Sequence, residues 1–165
     1  MARVWKFGAD VDTDQIVPGR YAPFMLKEGD DVKNYAFVDA NPAFNTQAQP
    51  GDIIVATDNF GCGSSREYAP VALKKRQVGA IIANDFARIF FRNAINLGIP
   101  VFVAPEVVTA AQDGMTAVLD LDTGKIMLDG VAYTLPLLPE FAREIVAAGG
   151  IVKYVRENGR FPGEK

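Results

Sequence analysis

Asp52-Ile53-Ile54-Val55-Ala56, then Gly61-Cys62-Gly63-Ser64-Ser65-Arg66-Glu67, then Gly79-Ala80-Ile81-Ile82-Ala83-Asn84 is the stretch on which the fold turns. Its first and last runs are short, apolar and bounded by turn residues, which reads as two buried strands. Between them residues 66–77 have helical character, with Ser65 as the expected N-cap, Glu67 in the first turn and Lys74, Lys75 and Arg76 in the last. Pro70 lies near enough to the helix start to be tolerated. A second helix is expected over residues 86–97, with Phe86, Ile89, Phe90, Asn93 and Leu97 on one face and Gly98 as its stop. Residues 99–103 supply a third strand. Strand, loop, helix, strand, helix, strand across residues 50–104 predicts a parallel α/β core.

Outward from that core, residues 2–7 read as a short strand ended by Gly8. On the other side, residues 116–120, 125–128 and 131–135 are separated by Thr123-Gly124 and Asp129-Gly130, the signature of added antiparallel hairpins. Residues 138–148 and 151–158 read as terminal helices split by Gly149-Gly150. Residues 21–50 carry Pro23, Gly29, Pro42 and Pro50 and show no clean period, and a long irregular segment of this kind is often functional. No repeat or strong linker divides the chain, so one domain over residues 1–165 is expected.

Composition narrows the chemistry. The 165 residues are 49% hydrophobic and 22% charged, with 17 basic against 20 acidic side chains, no histidine and one cysteine, Cys62. A Ser–His–Asp or Cys–His triad is therefore impossible within this chain. So are a zinc site of the usual Cys/His type, an iron–sulfur cluster held by this chain alone, and a disulfide framework. The single tight basic cluster, Lys74-Lys75-Arg76, sits at an expected helix end, so a nucleic-acid partner is not indicated. No apolar run approaches the ~20 residues that span a bilayer, and residues 1–6 lack a signal-peptide core. A soluble, cytoplasmic protein is expected.

The loop Gly61-Cys62-Gly63-Ser64-Ser65-Arg66-Glu67 lies where an α/β sheet places ligands, beyond the carboxyl end of a strand. Its glycines admit close approach, and Arg66 offers a fork for a carboxylate. The loop has neither the lysine spacing of a phosphate loop nor the third glycine of a dinucleotide fingerprint. It reads equally as a carboxylate site or as a helix cap after a glycine turn. With no histidine to assist it, a reactive Ser64 would need helix N–H groups, Arg66 or another chain to hold its alkoxide. Asp12-Thr13-Asp14 is a second candidate, with turn-forming side chains as its plain alternative, and the EF-hand pattern does not fit it. Arg20 and Tyr21 either point at the same ligand or form a solvated loop. Phe86, Phe90 and Phe91 are expected to pack the core and Arg88 and Arg92 to cap the surface, while Cys62 reads as a bystander.

Read together, Asp12-Thr13-Asp14-Gln15-Ile16, Pro18-Gly19-Arg20-Tyr21, Gly61-Cys62-Gly63-Ser64-Ser65-Arg66-Glu67 and Ala87-Arg88-Ile89-Phe90-Phe91-Arg92-Asn93 resemble one family across essentially the whole chain. That family is the small subunit of isopropylmalate isomerase and homoaconitase, the separate-chain form of the swivelling domain of aconitase. The resemblance implies a swivelling β/β/α fold and a large aconitase-type partner subunit carrying a [4Fe–4S] cluster, without which this chain is inactive. It also implies a di- or tricarboxylate substrate isomerised by dehydration and rehydration. By match to the motif, Ser64 is the base for the carbon-bound proton, Ser65 helps hold substrate and Arg66 clamps a carboxylate. Arg20 and Tyr21 reach the same ligand, while Asp14, with Thr13, faces the partner. Relatives in the wider family commonly carry an acid where Cys62 stands here, so a role resting on that acid does not transfer. Ala22-Pro23-Phe24-Met25 matches the segment that receives the substrate's variable group. Phe24-Met25 suits the isopropyl group of 3-isopropylmalate, the leucine-pathway substrate, whereas a homocitrate-type substrate of the lysine pathway would want the cation of Arg20. A non-catalytic carboxylate-binding module is the remaining alternative.

Overall fold

Strict alternation along short apolar strands builds the centre of the molecule. In β1 (Ala2–Lys6), β2 (Ile53–Val55), β3 (Ala80–Ala83) and β4 (Val101–Val103), successive side chains enter two different cores. Trp5, Ile54, Ile81 and Val101 face one core, and Val4, Ile53, Val55, Ala80, Ile82 and Phe102 face the other. A sheet covered on both faces needs this continuous apolar composition. The computed structural model describes residues 1–164.

β1 to β4 are parallel, with Trp5 opposite Ile54, Ile54 opposite Ile81 and Ile82 opposite Phe102. On its other edge β1 pairs antiparallel with β5 (Thr116–Asp120), which continues through β6 (Lys125–Leu128) and β7 (Val131–Thr134). The result is one seven-stranded sheet in the order β4-β3-β2-β1-β5-β6-β7. This is the expected parallel α/β core with added antiparallel hairpins.

Seven helices complete the described residues: α1 (Thr13–Ile16), α2 (Pro42–Gln47), α3 (Tyr68–Lys75), α4 (Arg88–Asn96), α5 (Pro105–Ala110), α6 (Glu140–Ala148) and α7 (Ile151–Asn158). Neither α1 nor α5 was expected from the sequence. The irregular segment 21–50 resolves into single 3₁₀ turns at Pro23–Met25 and Val32–Tyr35 together with α2. Asp52 ties this segment to the sheet: its buried carboxylate accepts from the backbone N–H of Arg3 and Gln49 and from Trp5 Nε1, each at 2.9 Å. Three donors satisfy a charge that would otherwise be costly to bury.

Two expectations about the helices are corrected. α3 begins at Tyr68, not Arg66, and its N-cap residue is Glu67 with no side-chain cap bond, so Ser65 caps nothing. The reason is local. The backbone N–H of Ser64 donates to Thr13 Oγ1 at 3.1 Å, which keeps the chain extended through the serines before the helix can start. In α4 the buried residues are Phe90, Ala94 and Ile95, while Ile89 is 54% exposed and does not join Phe90 in the core. Helix α6 turns the face, because Phe91 and Ile95 of α4 line a groove with Ala142 and Ile145.

Candidate active site

The site grows from the end of β2. Past Val55 the chain buries Phe60, whose ring meets Phe90 edge-on at 5.2 Å and Phe86 at 6.0 Å. Gly61 follows with a φ of +81°, and a Cβ there would lie 2.1 Å from Phe90 Cγ. Only glycine lets the loop pass so close to α4.

From Gly61 the loop runs beside the segment that leads into α1. Gly61 N donates to Val11 O at 2.7 Å and Thr13 N to Cys62 O at 2.9 Å, a short parallel bridge between residues far apart in sequence. Asp12 caps α1 by accepting from Gln15 N at 2.7 Å. Thr13 is buried, and its hydroxyl accepts the Ser64 N–H. The backbone of Ser64 is thus fixed from below. Among the described residues neither the Ser64 nor the Ser65 hydroxyl has a hydrogen-bond partner, so both are free to meet a ligand.

Arg66 reaches across to the first loop. Its Nη1 donates to the Tyr68 hydroxyl at 2.9 Å and lies 3.3 Å from Asp14 Oδ1. The Tyr68 hydroxyl, and then the charge of Asp14, push the guanidinium pKa still higher, so Arg66 is a permanent cation. Gly19 closes the back of this group: a Cβ there would sit 3.2 Å from Arg66 Nη1 and 3.6 Å from Asp14 Oδ1. Thr13, Asp14, Ser64, Ser65 and Arg66 are therefore neighbours in the fold.

The serines line a cleft of about 530 Å³ with Gly61, Gly63, Arg88, Ile89 and Arg92. Arg88 and Arg92, expected to cap the surface, belong to this cleft. They stand one helical turn apart at the rim of the serine loop and have no ion-pair partner among the described residues. Their i, i+4 spacing was the signal for a shared face. Two unpaired guanidinium groups give the cleft a positive potential suited to a carboxylate.

Arg20 and Tyr21 have partners within the chain. Arg20 Nη2 meets both oxygens of Asp39 at 2.7 Å, and its guanidinium lies 4.6 Å from the Tyr21 ring centroid. Tyr21 stacks on Tyr35 at 3.9 Å, and Tyr35 donates its hydroxyl proton to Asp30. Within the variable segment Ala22 is buried, while Pro23, Phe24 and Met25 are exposed, Phe24 at 82%. Three residues of the four are thus open to something outside the chain. The Cys62 thiol is pushed up first by burial and then by the charges of Asp12 and Asp10, so it stays protonated at neutral pH. No group of three histidine, cysteine, aspartate or glutamate side chains able to hold a metal occurs among the described residues. One protonated thiol does not fit an iron–sulfur cluster.

A mixed sheet with a serine loop at the end of a parallel strand and arginines around it defines the class of domain. The chain belongs to the aconitase C-terminal domain family, which matches residues 11–105. Its relatives are small subunits. The homoaconitase small subunit of Thermus thermophilus is 49% identical over 99% of this chain and 100% of its own length. A 3-isopropylmalate dehydratase small subunit of Deinococcus radiodurans is 47% identical over 100% of this chain and 92% of its own. The crystal structure of a 3-isopropylmalate dehydratase from Methanocaldococcus jannaschii superposes with a TM-score of 0.84 at 38% identity, covering 96% of this chain and 93% of that one. No helix among the described residues is long and apolar enough to cross a membrane.

Proposed function

We propose that this chain, acting as one swivelling unit over residues 1–165, is the small subunit of a two-chain hydro-lyase that isomerises 3-isopropylmalate by dehydration and rehydration. The observation that carries the reading is the pair of unpartnered serine hydroxyls in a cleft rimmed by Arg88 and Arg92, beside the fixed cation of Arg66. A serine can take a carbon-bound proton only where its alkoxide is stabilised, and a dry, positive cleft does that. Closure against a large subunit would exclude water from it.

In this reading Ser64 Oγ removes the proton from the carbon next to a substrate carboxylate as hydroxide leaves the neighbouring carbon; on rehydration hydroxide adds to the first carbon and Ser64 returns the proton to the second, so that the two groups exchange places. Ser65 supports the substrate, Arg66 grips one carboxylate side-on, and Asp14 with Thr13 faces the partner. The [4Fe–4S] cluster belongs to the large subunit, because the donors of this chain do not fit one. The chain alone is accordingly inactive, and the assembled enzyme works in the cytoplasm.

Phe24 and Met25 favour the isopropyl substrate, since they are apolar and exposed beside the site's first loop. Arg20, the cation next to the variable segment, is already neutralised by both oxygens of Asp39. The likeness to a homoaconitase small subunit makes homoaconitate the competing substrate. The test is turnover of both compounds by the chain assembled with an aconitase-type large subunit and a reconstituted cluster. Faster turnover of 3-isopropylmalate is expected; preference for homoaconitate would reverse the substrate assignment, and no turnover of either would end the enzymatic reading. Ser64→Ala should abolish turnover while leaving assembly intact, and near-normal activity would remove Ser64 as the base.

A further inference from the structure

We propose that Tyr68 is a positioning residue: its phenol oxygen anchors Arg66 through Nη1 and thereby leaves the Nε–Nη2 edge of the guanidinium open for the substrate's carboxylate. The proposal rests on the reading of Arg66 as a carboxylate clamp. Three observations carry it. Both hydrogen bonds that Arg66 makes within the described residues, to the Tyr68 hydroxyl at 2.9 Å and to Asp14 Oδ1 at 3.3 Å, use the same nitrogen, Nη1. Gly19 has no side chain and sits directly behind that nitrogen, where a Cβ would come within 3.2 Å of Nη1 and 4.0 Å of the Tyr68 oxygen. Tyr68 is the first residue of α3, whose buried Ala69, Ala72 and Leu73 fix the helix to the core, so its hydroxyl is held by a rigid element.

A guanidinium offers five donors in a planar fork, and a carboxylate is best gripped by two parallel N–H groups. Fixing Nη1 from the α3 side fixes the plane of the fork. The remaining edge, Nε with Nη2, is the one that can bind a carboxylate with both oxygens. Asp14 makes the longer contact and is 64% exposed, so it can exchange without releasing Arg66. A phenol oxygen suits this role because it accepts a single N–H and leaves the rest of the fork without a carboxylate.

Two measurements test the idea. In the isolated chain, the nitrogen resonances of the Arg66 guanidinium should show slowed rotation about Nε–Cζ, and Tyr68→Phe should restore free rotation. Equal rotation in the two proteins would overturn the proposal. In the assembled enzyme, Tyr68→Phe should raise KM for 3-isopropylmalate about ten-fold with kcat within about two-fold, the pattern of lost binding common to ground and transition states. The same change made in an Arg66→Ala background should add nothing. An unchanged KM in Tyr68→Phe, or an equal effect with and without Arg66, would refute the positioning role. A wild-type pair with no turnover would count against the enzymatic reading alone, because rotation in the isolated chain still decides the Tyr68 contact.

Discussion

Replacing Gly61 by alanine should damage the serine loop more than any other single methyl added to it. Two separate costs apply. At a φ of +81° an L side chain meets its own backbone, which costs about 1–2 kcal/mol. The new Cβ would also lie 2.1 Å from Phe90 Cγ and 2.4 Å from Phe90 Cβ. Those atoms belong to the root of a side chain that is 2% exposed and cannot swing aside, and relieving such overpacking costs about 1–3 kcal/mol. The sum, about 2–5 kcal/mol, corresponds to a Tm lowered by about 4–20 °C for a chain of this size. Gly63→Ala is the matched control. Its φ is +92°, but the nearest atom to its Cβ is Thr13 Oγ1 at 3.4 Å, so only the backbone cost of about 1–2 kcal/mol applies. Gly8→Ala, with no atom within 4 Å and no positive φ, should stay within about 0.5 kcal/mol of the parent. Urea unfolding followed by the fluorescence of Trp5, the single and buried tryptophan, gives all three values. Equal losses for Gly61→Ala and Gly63→Ala would refute the claim that Phe90 holds the loop in place.

Two further outcomes are expected. Asp39→Asn should free Arg20 and raise kcat/KM for a homocitrate-type substrate relative to 3-isopropylmalate, on the order of ten-fold; an unchanged ratio would show that Arg20 does not face the variable group. The raised Cys62 thiol means that the folded chain holds this proton more tightly than the unfolded chain does. Its contribution to stability is therefore complete below the ordinary thiol value and is lost as the pH rises through the folded one. Iodoacetamide should accordingly label Cys62 more slowly in the folded protein than in urea at a pH of about 8.5, and stability should fall less steeply above that pH in Cys62→Ser. Equal labelling rates would contradict the burial of the thiol.

The parallel core was legible because β2 and β3 carry apolar residues on both faces and are bounded by turns, a pattern that depends only on near neighbours. The hairpins followed for the same reason, from Thr123-Gly124 and Asp129-Gly130. What escaped depended on distant residues. Ser65 looks like a cap in any local window, and it is the hydroxyl of Thr13, 51 positions before Ser64, that delays the helix to Tyr68. Ile89 fits a core stripe until α6 claims the neighbouring face through Ala142 and Ile145. Helix α5 is short and begins at Pro105, with Val107 and Val108 buried, too brief to establish a period. At the site, the serines and Arg66 were legible as a motif. Arg88, Arg92 and Tyr68 were not, because their relevance comes from where α3 and α4 are placed against the serine loop.

The position of β1 has a consequence for how the chain is made. This N-terminal strand is not an edge but the hinge between the two halves of the sheet, paired with Ile53–Val55 on one side and with Thr116 and Ala117 on the other. The parallel half can assemble once β2 to β4 are available. The opposite side of β1 then stays unpaired until residue 117 emerges, about 0.7–3 s after residue 103 at ordinary translation rates. During that interval Ala2 and Arg3 present an open row of backbone donors and acceptors, the feature through which nascent chains find the wrong neighbour. The charged side chain of Arg3, later tied to Asp113 at 3.4 Å, stands at that open margin as its guard.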